Sequence, residues 1–246
     1  MTQQDRPFRS FWILAISWLV ILLFFRLFPP VDIGFSRLFY STSSCLPGSA
    51  AERCGMFPLG EIPVFAFLRT VLYYLPVVVA IALVASLIVP ALNRRLDWPE
   101  ISPRNRMIAI GAWIIDAGIL VNMLLKAHSG RPRPADTSLF SGQLPFVPAG
   151  DFSGACTSNC SFISGEAASA GWLFCLLALL PPRARRWLFW PVLAVSALTA
   201  LLRVFFGRHF LSDALLAWLS AVIVFELLAA IFGWNERDNA DAREVR

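Results

Sequence analysis

The run FLSDALLAWLSAVIVFELLAAIFGW, Phe210–Trp234, decides the fold. Its 25 residues contain only two ionisable side chains, Asp213 and Glu226, and about 20 apolar residues in a helix cross the hydrocarbon core of a bilayer. Five more apolar runs precede it: Phe11–Phe28, Val64–Leu92, Met107–Leu125, Phe162–Leu180 and Leu188–Leu202. The fifth run of the six is short, and Trp187, Trp190 and Pro191 place its start at an interface. It is retained as a span because the chain then crosses an even number of times. No small-residue cleavage site follows the first run and Arg26 interrupts its end, so it reads as an uncleaved span.

Composition agrees. Apolar residues make up 57% of the chain and charged residues 15%, against about 45–50% and about 25% in soluble domains. The expectation is an all-α polytopic bundle of about six transmembrane helices. Residues 1–246 read as a single membrane-embedded domain, with an outer loop at 30–62 and no linker or repeat.

Arginines set the orientation. Arg6 and Arg9 precede the first span, Arg94, Arg95, Arg104 and Arg106 follow the second, and Arg183, Arg185 and Arg186 follow the fourth. The positive-inside rule makes these cytoplasmic, with both termini inside. This topology, together with the site described next, accounts for most of the basic residues behind the net charge of +5. No basic helix interleaved with aromatics points to nucleic acid. Cys45, Cys54, Cys156 and Cys160 then face an oxidising compartment, and Cys175 lies within a span. Two clips, Cys45–Cys54 and Cys156–Cys160, fit that placement, and free structural thiols are the alternative. Neither pair has the tight C-x2-C spacing of a zinc site.

Three outer segments carry chemistry. The only lysine, Lys126, opens the stretch KAHSGRPRP, which places three cations and His128 within eight residues. Such a cluster repels itself unless an anion sits among its members; snorkelling at the membrane edge is the simpler alternative. Ser164 is a sound N-cap, and Gly165 and its successors offer free N–H groups at a helix N-terminus, where anions bind. Arg203, His209 and Asp213 form the third segment. Asp213 lies four residues after His209, so on a helix it can accept the imidazole Nδ1 proton and leave Nε2 as a nucleophile or base. A purely structural hydrogen bond is the alternative.

Taken together and in order, these segments resemble the type 2 phosphatidic acid phosphatase (PAP2) superfamily, whose three motifs are Lys-x6-Arg-Pro, Pro-Ser-Gly-His and Ser-Arg-x5-His-x3-Asp. Lys126, Arg133 and Pro134 match the first, Ser164 and Gly165 part of the second, and Arg203, His209 and Asp213 the third. The resemblance implies a metal-free, cofactor-free hydrolase. Lys126, Arg133, Ser164, Gly165 and Arg203 would bind phosphate, and His209, oriented by Asp213, would attack phosphorus. It also implies a phosphorylated membrane lipid as substrate (lipid A-type, polyprenyl diphosphate or glycerophospholipid), with no protein partner required. The expected location is a bacterial inner membrane, with the site facing the periplasm.

This chain departs from the pattern at Leu202 for serine, Ile163 for proline and Glu166 for the histidine of the second motif. That histidine resembles a general acid. Cations favour a charged Glu166, whereas a substrate dianion and desolvation favour a neutral one. Three readings follow: Glu166 is the acid, His128 is the acid, or Glu166 binds a substrate group and the leaving oxygen departs with little help. The Ser-Gly-Glu variant is similar to that of bacterial lipid A phosphatases. A lipid phosphotransferase and a non-catalytic anionic-lipid binder are the alternative functions.

Overall fold

The computed structural model describes residues 5–42, 55–89 and 101–234. Seven helices organise it: α1 (Asp5–Leu27), α2 (Pro29–Arg37), α3 (Pro63–Ile88), α4 (Pro103–His128), α5 (Gly165–Leu179), α6 (Pro182–Phe205) and α7 (Leu211–Phe232). Five of them, α1, α3, α4, α6 and α7, are long and apolar enough to cross a membrane. The described residues form an all-α polytopic bundle whose outer surface exposes Trp12, Ile16, Val20, Phe67, Val78, Ile81 and Met123.

The short helix is α5, the fourth of the six expected spans, and not the fifth. Pro181 and Pro182 decide this. The residue before a proline is pushed out of the helical region, and Pro181 is extended, with ψ 152°. Proline fits the first turn of a helix, where its missing N–H is not needed. Helix α6 therefore starts at Pro182 and runs 24 residues. Arg183, Arg185 and Arg186 lie in its opening turns and not in a loop, and Arg185 donates back to the Ala178 and Leu180 carbonyls where α5 ends. At the same end of the bundle, Arg104 donates to the Gly233 carbonyl (3.3 Å) and Arg106 to the Ser86 carbonyl (2.7 Å).

Helix α5 sits at the centre because its residues are small. Ala167, Ala168, Ala170 and Gly171 are buried, and a Cβ on Gly171 would lie 2.4 Å from the Trp218 carbonyl oxygen. Small residues let helices approach closely where lipid supplies no hydrophobic drive between them. Ala214, Ala217 and Ala221 line the buried side of α7. Indole N–H groups are satisfied across helices: Trp172 to the Ala109 carbonyl, Trp18 to the Leu216 carbonyl, and Trp218 to Ser196.

Helix α4 is irregular. Over Ile114–Leu125 its backbone widens to i→i+5 bonding, and the Lys126 N–H donates to the Val121 carbonyl. Such widened turns are frequent at functional sites, and this one ends at Lys126.

Candidate active site

The end of the bundle opposite the arginines carries a cleft of about 610 Å³. Arg69 and Tyr73 of α3, Lys126 of α4, Glu166 of α5 and Arg203 of α6 line it, with Arg133, Asn159, Phe206 and Arg208 from the loops. Five cations thus face a single carboxylate among the lining residues. Crowding shows in Arg133, whose guanidinium is lowered from its ordinary value by burial and by Arg208 beside it. The Nε atoms of Arg133 and Arg203 are buried without a protein hydrogen-bond partner.

His209 lies in the tight turn between α6 and α7 and is 1% exposed. Its Nδ1 is 2.7 Å from the Ser161 main-chain oxygen. A carbonyl only accepts, so Nδ1 carries the proton and Nε2 keeps its lone pair. Burial, followed by Arg203 and Lys126 nearby, pushes the imidazole well below its usual range, which keeps the ring neutral.

Asp213 does not take the expected position against His209. Its Oδ2 is 3.9 Å from Nδ1, beyond hydrogen-bond distance. The reason is local: His209 lies outside the helix, and Asp213 is the third residue of α7, where its Oδ2 accepts the Phe210 N–H (2.9 Å) and caps the helix. Oδ2 also accepts the Ser161 hydroxyl (2.5 Å), and Oδ1 accepts Arg131 Nη1 (2.5 Å). Asp213 therefore reaches the imidazole through Ser161, whose hydroxyl it holds while the carbonyl of the same residue holds Nδ1.

Arg131 ties this group together from below. It is fully buried, donates to Asp32 (2.9 Å), Ser212 (2.8 Å), Asp213 and the Val147 carbonyl (2.9 Å), and lies 4.4 Å above the Phe210 ring. Asp32, on α2, also accepts the Ser212 N–H (2.8 Å) and hydroxyl (2.5 Å). A buried charge set of this kind holds only while every member is partnered. Sequence reasoning missed Asp32, Ser161 and Ser212, and counted Arg131 only as a cation. A carboxylate beside Pro29 and Pro30 in an otherwise apolar stretch is the signal that marks Asp32.

Ser164 caps α5, its hydroxyl accepting the Ala167 N–H at 3.3 Å. A Cβ on Gly165 would sit 2.9 Å from Asn122 Oδ1 and 3.3 Å from Lys126 Nζ, so the glycine is what lets Lys126 approach the helix N-terminus. His128 stands apart from the cations of the cleft. It ends α4 exposed, with Nδ1 turned back to the Leu124 carbonyl (2.8 Å), and it does not line the cleft. Glu166 is inside the site but engaged: Arg69 grips both of its oxygens and Arg203 Nη1 lies 3.3 Å from Oε1. Arg69 and Arg208 are further lining residues that the sequence did not single out.

Cys156 and Cys160 are joined by a disulfide; Cys45 and Cys54 lie outside the described residues. The bridged loop runs beside the end of α4, with Cys160 N–H donating to the Lys126 carbonyl (3.2 Å) and Ser161 N–H to the Arg131 carbonyl (2.8 Å). This pairing carries Ser161 to His209.

His209, with its proton fixed on Nδ1, thus lies buried close to Arg203, Lys126 and Arg133 in a polytopic bundle. The chain belongs to the PAP2 superfamily, whose family model matches residues 106–237, and is a membrane lipid phosphatase. It is 45% identical over 225 residues to the lipid A 4'-phosphatase of Rhizobium etli, covering 91% of this chain and 88% of that one. To the lipid A 4'-phosphatase of Rhizobium leguminosarum it is 45% identical, covering 87% and 92%, and to that of Francisella tularensis subsp. novicida 31% identical, covering 84% and 90%. Among solved structures, a transmembrane PAP2 type phosphatidylglycerolphosphate phosphatase from Bacillus subtilis superposes with a TM-score of 0.52 over 94% of this chain and 96% of that one. At 18% identity it shares the fold.

Proposed function

We propose that this protein removes the 4'-phosphate of a lipid A-type glycolipid through a phosphohistidine on His209, at the periplasmic face of a bacterial inner membrane. The substrate reading rests on the relatives at 45% identity. The mechanism rests on one observation, the 2.7 Å contact between His209 Nδ1 and the Ser161 carbonyl, which leaves Nε2 free to attack. The periplasmic assignment is supported by the arginines at the opposite end and by the disulfide beside the cleft.

A lipid substrate also suits the shape. An apolar groove of about 360 Å³ between α3 and α4, walled by Leu72, Pro76, Val77 and Ile114, shares Tyr73, Lys126 and Glu166 with the cleft. A ligand with a phosphorylated head and a hydrocarbon tail fills both.

In the reaction Nε2 bonds to phosphorus as the P–O ester bond breaks, while Lys126, Arg133 and Arg203 hold the nonbridging oxygens and the developing charge. The sugar oxygen leaves as an alkoxide and takes a proton from water. The resulting hydroxide attacks phosphorus, breaks the N–P bond, and releases hydrogen phosphate and neutral His209. Ser161 keeps the proton on Nδ1 throughout, and Asp213 holds Ser161.

The test is incubation of the full-length protein in detergent, with EDTA present, with bis-phosphorylated lipid A, a polyprenyl diphosphate and phosphatidic acid, followed by mass spectrometry. Loss of one phosphate from lipid A, acid-labile labelling of the protein by radiolabelled substrate, and loss of both in His209→Ala are expected. Turnover that survives His209→Ala overturns the nucleophile, and preference for either other lipid overturns the substrate.

A further inference from the structure

Three helices meet at Glu166. It sits in the first turn of α5, Arg203 in the last turn of α6, and Arg69 in the second turn of α3. Arg69 Nε donates to Glu166 Oε2 at 3.1 Å, and Nη2 donates to Oε1 in a fork. Arg203 Nη1 shares that same Oε1. The carboxylate and Arg203 are nearly closed off from solvent, with side chains 11% and 10% exposed, whereas Arg69 is 33% exposed and lies 4.9 Å over the Tyr73 ring at the mouth of the apolar groove.

Both oxygens of Glu166 therefore meet N–H donors. These are charge-assisted contacts from two guanidinium groups, the kind a carboxylate accepts most strongly. With one Nη of Arg203 held by Glu166, its buried Nε has no protein partner. Remove the carboxylate, and Arg69, Lys126, Arg133, Arg203 and Arg208 face one another across the cleft with no anion among its lining side chains.

We infer that Arg69 is a positioning residue for the phosphatase reaction: it fixes Glu166, and Glu166 in turn sets the guanidinium of Arg203 at the phosphate and offsets the charge of the empty cleft. Glu166 is thus an ionised strut and not a proton donor. The inference rests on the reading of the cleft as the phosphate site.

The experiment measures inorganic phosphate binding by calorimetry, and kcat and KM on bis-phosphorylated lipid A across pH, for wild type, Arg69→Met, Arg69→Lys, Glu166→Gln and the Arg69→Met/Glu166→Gln double variant. Loss of a charge-assisted hydrogen bond is expected to weaken phosphate binding and kcat/KM by roughly ten- to a hundredfold in each single Met or Gln variant. The double variant is no worse than either single one, Arg69→Lys is intermediate, and the alkaline limb of the pH profile keeps its position in all. Wild-type behaviour in Arg69→Met, additive losses, or an alkaline limb lost only in Glu166→Gln overturns the inference. Wild-type protein that binds phosphate but leaves lipid A intact overturns the substrate reading alone; wild-type protein that binds no phosphate overturns both.

Discussion

His209 Nδ1 faces the main-chain oxygen of Ser161 at 2.7 Å, while the carboxylate of Asp213 holds the hydroxyl of the same serine at 2.5 Å. The acid of the third motif thus orients its histidine through an intermediate residue, and the acceptor that fixes the tautomer is a carbonyl that cannot titrate.

That arrangement predicts a neutral imidazole with its proton on Nδ1 below the pH at which free histidine ionises, about 6.5. Burial lowers the folded value, so the unfolded chain binds the proton that folded His209 refuses. The stability this contributes is present above about pH 6.5 and is lost as pH falls below it, by up to about 1.4 kcal/mol per pH unit. Nitrogen-15 histidine NMR on His128→Gln protein, which leaves His209 as the one imidazole, is expected to show the Nδ1–H tautomer at pH 6. A ring protonated at that pH would contradict it. The same protein is expected to retain wild-type turnover, since His128 lies outside the cleft.

Asp32 precedes the residues matched by the superfamily yet completes the buried group under His209. Asp32→Ala takes away the acceptor shared by Arg131 Nη2 and the Ser212 N–H and hydroxyl, and breaking a buried pair from one side costs about 3–5 kcal/mol. Thermal unfolding in detergent is expected to drop accordingly, with turnover lost alongside it. Unchanged stability in Asp32→Ala would mean that α2 is incidental to the site.

Two glycines on α5 should fail differently when replaced by alanine. At Gly165 the new methyl meets the movable ends of Asn122 and Lys126, so Gly165→Ala is expected to keep its melting temperature and lose roughly tenfold or more in kcat/KM through the displaced lysine. At Gly171 the methyl meets the backbone of α7, and overpacking of that kind costs about 1–3 kcal/mol. Parallel melting and activity assays on the two variants check both expectations.

The sequence by itself determined the membrane class and singled out candidate phosphate-site residues. Apolar length reports the solvent a helix was built for, and Lys126, Arg133, Ser164, Gly165, Arg203 and His209 stand at short fixed spacings within their segments. Helix ends are legible where a proline or a cap is local; the apolar run Leu188–Leu202 falls short of α6 because the turns that Pro182 opens carry Arg183, Arg185 and Arg186 and lie outside any apolar window. Tertiary structure alone decided which partners these residues take. Asp213 lies four residues from His209 but is held by Arg131, 82 residues away, which also holds Asp32, 99 residues away. Glu166 is gripped by Arg69, 97 residues away. Burial demands that each ionised group find a donor or acceptor, and in a bundle the nearest one lies on another helix, where sequence spacing carries no distance.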